Sequence, residues 1–153
     1  MRVHWRLLAF VAVLVAAPAV PARGAALSPE LQKALESSKY VYIQSTRKDG
    51  KLGKPAEIWF MPYNGAVWVA SPPTTYRVKR IKAGQTAAKI AIGKADGLSF
   101  NAKGSIVKDP EANKAMFETY AKKYTSEWKS YEQKFRDGLA DGSRVLIKYV
   151  PAD

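Results

Sequence analysis

The chain of 153 residues contains no cysteine and a single histidine, His4. Without cysteine there is no disulfide, no thiolate nucleophile and no thiolate ligand for zinc or iron–sulfur clusters. His4 lies in a stretch laid out as a secretory signal peptide. Arg2 and Arg6 precede an apolar run, Leu7 to Val20, broken only by Pro18, and PARGAA then offers cleavage after Gly24 or Ala26. The run is short for a membrane span, so no membrane association is expected once it is cleaved. No twin arginine precedes the apolar core, which points to export unfolded, into a periplasm or out of the cell. Loss of residues 1–26 takes His4 with it. The mature chain then has no Ser-His or Cys-His dyad and no imidazole for zinc, copper or haem, so no metal site is expected.

Acidic residues are also scarce: 13 Asp and Glu stand against 25 Lys and Arg. Removing Arg2, Arg6 and Arg23 leaves 22 cationic and 13 acidic side chains, a net charge of +9. Such a balance favours anionic partners, among them phosphorylated ligands, nucleic acid and lipid headgroups, without choosing between them. Residues 27–153 suffice for one domain with one core, and no internal repeat or low-complexity tract divides them.

Ser28-Pro29-Glu30 opens a short helix to about Ser37, with Ser as cap and Pro at the first helical position. Tyr40 to Thr46, Pro55 to Met61 and Ala66 to Ser71 read as three strands. Asn64-Gly65 forms the hairpin between the last two, since both residues tolerate positive φ. Pro72-Pro73 ends the third strand, and a helix from Thr74 to Ala83 follows, closed by Gly84. Thr86 to Gly93 alternates with Ala88, Ile90 and Ile92 inward. Leu98 to Val107 is a fifth strand in which Gly104 marks a bulge or a close approach. Asp109-Pro110-Glu111 starts a long helix carrying Met116, Phe117, Tyr120, Ala121 and Tyr124 on one face. Trp128, Tyr131 and Phe135 continue it after a break at Thr125-Ser126, with Gly138 as its stop. Ser143 to Val150 is the last strand. Hairpin-joined strands imply antiparallel pairing, and six strands can close a small barrel. Neither the alternating βα order nor the G-x-G-x-x-G turn of a Rossmann sheet is present.

The densest chemical signal is TTYRVKRIK, Thr74 to Lys82, in which Arg77, Lys79, Arg80 and Lys82 are cationic. Cations in a first helical turn oppose the helix dipole, so Thr hydroxyls, backbone N–H groups and cations meeting there suit a bound phosphate. The competing reading is a solvated basic face on a short helix. A second basic stretch, Lys122 to Arg136, interleaves aromatics and superficially suits nucleic acid or membrane. Its aromatics fall on one helical stripe and Glu127, Glu132 and Asp137 accompany it, which favours core packing, and no specific nucleic-acid partner is expected.

The run YVYIQSTRKDGKLGKPAEIWFMPYNGAVWVASPPTTYRVKRI resembles the front half of the pyridoxamine 5′-phosphate oxidase-like, FMN-binding split-barrel superfamily. GLSFNAKGSIVKDPEANKAMFETYAKKY is similar to its later strand and helix start, and VLIKYVP to its last strand. The resemblance spans about Leu27 to Pro151. It implies a mainly β fold with helices (α+β): a six-stranded antiparallel split barrel, a short helix after strand three and a longer helix before the last strand. It also implies residues 27–153 as a single split-barrel domain, a homodimer, and FMN in a groove shared by two subunits. Deazaflavin or an empty groove is a variant within the superfamily. Carried onto this chain, Ser71, Thr75, Arg77 and Lys79 would hold the phosphate, with Thr74 as a helix-cap alternative, and the ring would lie near Ile58, Trp59 and Phe60. Many members have Ser-x-Lys where this chain has Thr75-Tyr76-Arg77, and arginine can replace lysine as a bidentate phosphate ligand. The Arg and His pattern of the true vitamin oxidases, which holds substrate phosphate, is missing, and the haem-handling branch normally uses an axial His. The function implied is a flavin-dependent oxidoreductase, exported. The alternative is a non-catalytic barrel that binds flavin or another phosphorylated or anionic small molecule.

Overall fold

The computed structural model describes residues 25–153. The expected leader therefore lies outside the described residues apart from Ala25 and Ala26. The next residue, Leu27, is already part of the core at 7% exposure.

Both cap-proline motifs act as read. Ser28 Oγ accepts the Leu31 N–H at 3.2 Å and opens α1, Pro29–Ser37. Asp109 Oδ1 accepts the Ala112 N–H at 2.9 Å and opens α3, Pro110–Lys123. The strands are β1 Val41–Ser45, β2 Ala56–Ile58, β3 Met61–Tyr63, β4 Ala66–Ser71, β5 Ala87–Ile92, β6 Ser99–Val107 and β7 Val145–Pro151. Asn64 and Gly65, both at positive φ, turn β3 into β4. The remaining helices are α2, Tyr76–Lys82, and α4, Thr125–Asp141. The long helix is thus two helices that meet at Tyr124. Gly138 lies inside α4, and the left-handed Gly142 is the cap that ends it.

All pairings are antiparallel, in the order β2-β1-β5-β6-β7-β4-β3. Seven strands replace the expected six because the segment Pro55 to Met61 breaks at Trp59-Phe60. Its first half pairs with β1 and its second with β4, so the two outer strands of the sheet are halves of one bent segment. That bend curls the sheet into a half-barrel and takes the backbone of Trp59 and Phe60 out of the ladder. Helix α3 supplies the missing partners. The Tyr120 hydroxyl donates to the Trp59 carbonyl at 3.0 Å, and the Phe60 N–H donates to the Tyr124 hydroxyl at 3.0 Å. The Tyr124 hydroxyl in turn donates to the Lys39 carbonyl at 2.8 Å. Burial pushes both phenols upward in pKa, which keeps them protonated and able to donate.

Alternation along the strands divides the apolar residues between two cores. Val41, Ile43, Val67, Val69, Ala88, Ile90, Ile147 and Tyr149 fill the barrel beneath Leu35 of α1 and Val78 of α2. Met61, Trp68, Ala70 and Leu146 face outward and are covered by Met116, Tyr120, Tyr124, Trp128 and Phe135 of the α3–α4 pair. The aromatic stripe is core, as its spacing indicated, except that Tyr131 and Ala121 are exposed. Gly104 is a close approach rather than a bulge. Its register opposite Tyr149 is regular, and an added Cβ would stand 2.6 Å from Tyr149 Cε1.

Candidate functional site

Strand β4 ends at Ser71 because Pro72 and Pro73 cannot donate to a ladder. The chain then turns on the Pro72 carbonyl, which accepts the Thr75 N–H at 3.1 Å and the Thr75 hydroxyl at 2.9 Å. That hydroxyl therefore does not cap α2. The helix starts at Tyr76, two residues later than the sequence suggests, and the shift reverses part of the electrostatic argument. Lys79, Arg80 and Lys82 lie in its last turn, where cations complement the dipole, and only Arg77 remains in the first.

Arg77 folds back against the sheet and donates Nη1–H to Ser71 Oγ at 3.2 Å. Ser71 is 1% exposed. Burial lowers the Arg77 pKa, a sign that its charge has lost water. Near it in the barrel, burial pushes the Tyr149 phenol up to about 12, with the Arg77 charge opposing, and the Tyr149 hydroxyl has no hydrogen-bond partner among the described residues. Arg80 is fixed differently, through Nη1 to the Ser45 carbonyl at 3.0 Å and to Ser45 Oγ at 2.8 Å. Gly53 makes that possible, since a Cβ there would stand 2.5 Å from Arg80 Nη1.

Thr75 and Arg77 form a wall shared by two clefts. One, of about 480 Å³, runs between the β1–β2 loop and α2 and is lined by Ile43, Ser45, Pro55 and Tyr76 with the cations Arg47, Lys54, Arg77 and Arg80. Among the described residues, Arg47 is the one of these cations paired with a carboxylate, that of Asp49. The other, of about 330 Å³, is lined by Ile58, Trp59, Ala70, Ser71, Pro72, Phe135 and Arg144. Its one carboxylate, Glu57, is hydrogen-bonded to the Tyr42 hydroxyl.

Among solved structures, the chain is similar to a conserved hypothetical protein of Mycobacterium tuberculosis, with a TM-score of 0.64 at 16% identity over 86% of this chain and 84% of that one. A candidate pyridoxamine 5′-phosphate oxidase of Listeria innocua gives a TM-score of 0.57 at 15% identity, over 81% and 92%. The heme storage protein HutZ of Vibrio cholerae gives 0.51 at 16% identity, over 84% and 92%. The chain has the split-barrel fold of the pyridoxamine 5′-phosphate oxidase-like proteins. No protein-family model matches the sequence, and no curated protein matches it.

Within this split barrel, five of the eight sequence-derived site residues come together: Ile58, Trp59, Ser71, Thr75 and Arg77 line the smaller cleft. The other three do not. Phe60 is fully buried in the barrel core, Thr74 is exposed ahead of the helix start, and Lys79 is exposed with its ammonium 6.0 Å from the Tyr76 ring centroid. Trp59 is held by the chain itself. It stacks on Tyr124 at 4.3 Å and 6°, on Phe135 at 6.0 Å, and meets Tyr131 edge-on at 5.7 Å. Sequence reasoning missed Arg144, which fell within the expected last strand, Ser143 to Val150. Arg144 instead precedes β7, lies 4.1 Å over the Phe135 ring and packs its stem on Gly138. Burial lowers its pKa as well, and it has no carboxylate partner among the described residues. The signal for it was Gly138, a glycine inside a helix whose missing side chain makes room for the Arg144 stem.

Proposed function

We propose that the mature chain is an exported split-barrel protein that binds FMN, or a related phosphorylated flavin, at the wall between the two clefts, as a flavin-dependent oxidoreductase. The observation that carries this reading is Arg77. It is a desolvated guanidinium whose partner is the neutral hydroxyl of Ser71, beside the Thr75 hydroxyl and without a carboxylate. A charge partly withdrawn from water and without a counter-ion is costly, and a phosphate would supply the missing anion with charge-assisted bonds. The donor set therefore fits a phosphate. Ser71 and Arg77 would hold it, joined by Thr75 if its hydroxyl turned from the Pro72 carbonyl, with Lys54 and Arg80 adding positive potential. Ile58, Ala70 and Pro72 would border the ring, and Trp59, fixed by its own aromatic neighbours, would shape that border. The flavin would supply the redox chemistry, while the chain anchors it and shields it from water. Phe60, Thr74 and Lys79 have no place in this arrangement.

Export to a periplasm or beyond the cell, cleavage within residues 1–26 and a homodimer with a shared groove belong to the same proposal. The second reading, a carrier without turnover, is favoured by one observation. The residues lining the clefts include no free acid to move a proton, since Glu57 is engaged by Tyr42.

The deciding experiment is the absorbance spectrum of the protein purified from its envelope fraction, before and after adding FMN. A flavin band that persists through gel filtration is expected, and Arg77→Ala should weaken FMN by about 1.5–3 kcal/mol, the worth of a charge-assisted bond. An Arg77→Ala protein that folds normally and binds FMN as the parent does would sink the assignment. Retained flavin that no donor can reduce and reoxidise would move the conclusion to the carrier.

A further inference from the structure

We infer that Arg144 is an anion-binding residue of the smaller cleft, and that the ligand it receives beside the cofactor is a small aromatic carboxylate. The Arg144 guanidinium is built into place. Its backbone N–H donates to the Gly138 carbonyl at 2.8 Å, its stem fills the space above Gly138, and its charged end lies 4.1 Å over the Phe135 ring. A glycine inside α4 costs about 1 kcal/mol of helix stability relative to alanine, and here that glycine admits the arginine stem. The side chain makes no hydrogen bond and no ion pair among the described residues, yet it is partly withdrawn from water. It comes from the α4–β7 turn, whereas Ser71, Thr75 and Arg77 come from β4 and α2. An anion on Arg144 is therefore held by a different part of the chain from one on Arg77. Tyr40, Trp59 and Phe135 line the same cleft, and its volume of about 330 Å³, shared with the flavin ring in the reading above, leaves room for no more than a single-ring compound. Glu57 lies at its edge and is occupied by Tyr42, so it does not cancel the two arginines.

The place of this ligand in a reaction rests on the flavin reading above, but its binding does not, so the two are tested apart. Benzoate, and benzamide as its neutral analogue, would be titrated calorimetrically into the protein with and without FMN, alongside Arg144→Gln and Arg144→Lys. Expected is benzoate binding at least about tenfold tighter than benzamide, and at least about tenfold weaker in Arg144→Gln, the size of one charge-assisted bond. Arg144→Lys, which keeps the charge, should recover part of the loss and stands in if the Gln variant fails to fold. FMN uptake should be the same in all three proteins. Equal binding of benzoate and benzamide, or no effect of either substitution, would overturn the inference whether or not FMN binds. Loss of FMN uptake in Arg144→Gln with benzoate binding intact would overturn it too, by assigning the arginine to the cofactor phosphate. A wild-type protein that takes benzoate but not FMN would remove the flavin reading and leave the carboxylate site standing.

Discussion

Replacing Tyr124 by Phe deletes one oxygen and tests how the barrel bend is held. Tyr124 is fully buried, and its hydroxyl joins two backbone groups that no strand satisfies. It accepts from the Phe60 N–H at 3.0 Å and donates to the Lys39 carbonyl at 2.8 Å. The Phe60 N–H has no other partner among the described residues, and the bend that orphans it is the one that closes the sheet. A buried backbone group left unsatisfied costs about 1–3 kcal/mol, and the carbonyl adds a net bond of about 1 kcal/mol, so a loss of about 2–4 kcal/mol is expected. No cavity adds to this, because the ring and its 4.3 Å stack on Trp59 survive the change. Urea unfolding monitored by tryptophan fluorescence gives the difference, and at this chain length the melting temperature should fall by about 6–15 °C. Tyr131→Phe is the control. Its ring also meets Trp59, at 5.7 Å, but it is 44% exposed and its hydroxyl bonds no group among the described residues, so the change should stay within about 0.5 kcal/mol. A Tyr124→Phe loss as small as the control's would refute the claim that helix α3 satisfies the bend.

Two further outcomes follow from the cores. Gly104→Ala would place a methyl 2.6 Å from Tyr149 Cε1 and 2.9 Å from Ile81 Cδ1, so a melt should show a loss of about 1–3 kcal/mol from overpacking. A gain in stability would mean that the Tyr149 ring moves aside freely. Lys123 is the other case: burial lowers its ammonium to about 8, against the attraction of the Phe60 ring 3.4 Å below it, and desolvation is the larger effect. Its folded pKa lies below its unfolded one, so between about pH 8 and 10.5 the unfolded chain binds more protons and stability rises with pH. The stability of wild type relative to Lys123→Met should therefore improve from pH 7.5 to pH 10, and a flat difference would show that the amine is not desolvated.

The fold was legible wherever one residue decides one local geometry. Ser28-Pro29 and Asp109-Pro110 opened their helices, Asn64-Gly65 made its hairpin, and Ala88, Ile90 and Ile92 turned inward. The break at Trp59-Phe60 was not legible, because both residues are good strand formers. What bends them is a pair of tyrosine hydroxyls from a helix some 60 residues later. The start of α2 was misplaced because two threonines in a row each suit a cap, while a carbonyl three residues back decides which is used. Arg77 was singled out by its local motif, and it lines both clefts. Arg144 was not, since strand alternation describes which way a residue faces within a ladder and Arg144 lies just ahead of one.

The same geometry limits the chemistry the clefts can support. Trp59 is stacked against Tyr124 and Phe135, so it is a fixed wall and offers no free face to a ring. The cations come from three separated parts of the chain: the β1–β2 loop, α2 and the α4–β7 turn. They raise the affinity for anions without providing an acid near pH 7, because guanidinium groups stay protonated even when burial lowers them. The carboxylate of Glu57 is held by a phenol, and residues 25–153 contain no histidine. Proton transfer at a ligand in these clefts is then left to water, the Lys54 ammonium and the Tyr40 and Tyr76 hydroxyls. A redox reaction there would show a pH dependence belonging to cofactor and substrate, unchanged by Glu57→Gln. A pH–rate profile that shifts in that variant would place Glu57 in the reaction and reopen the cleft as a proton-transfer site.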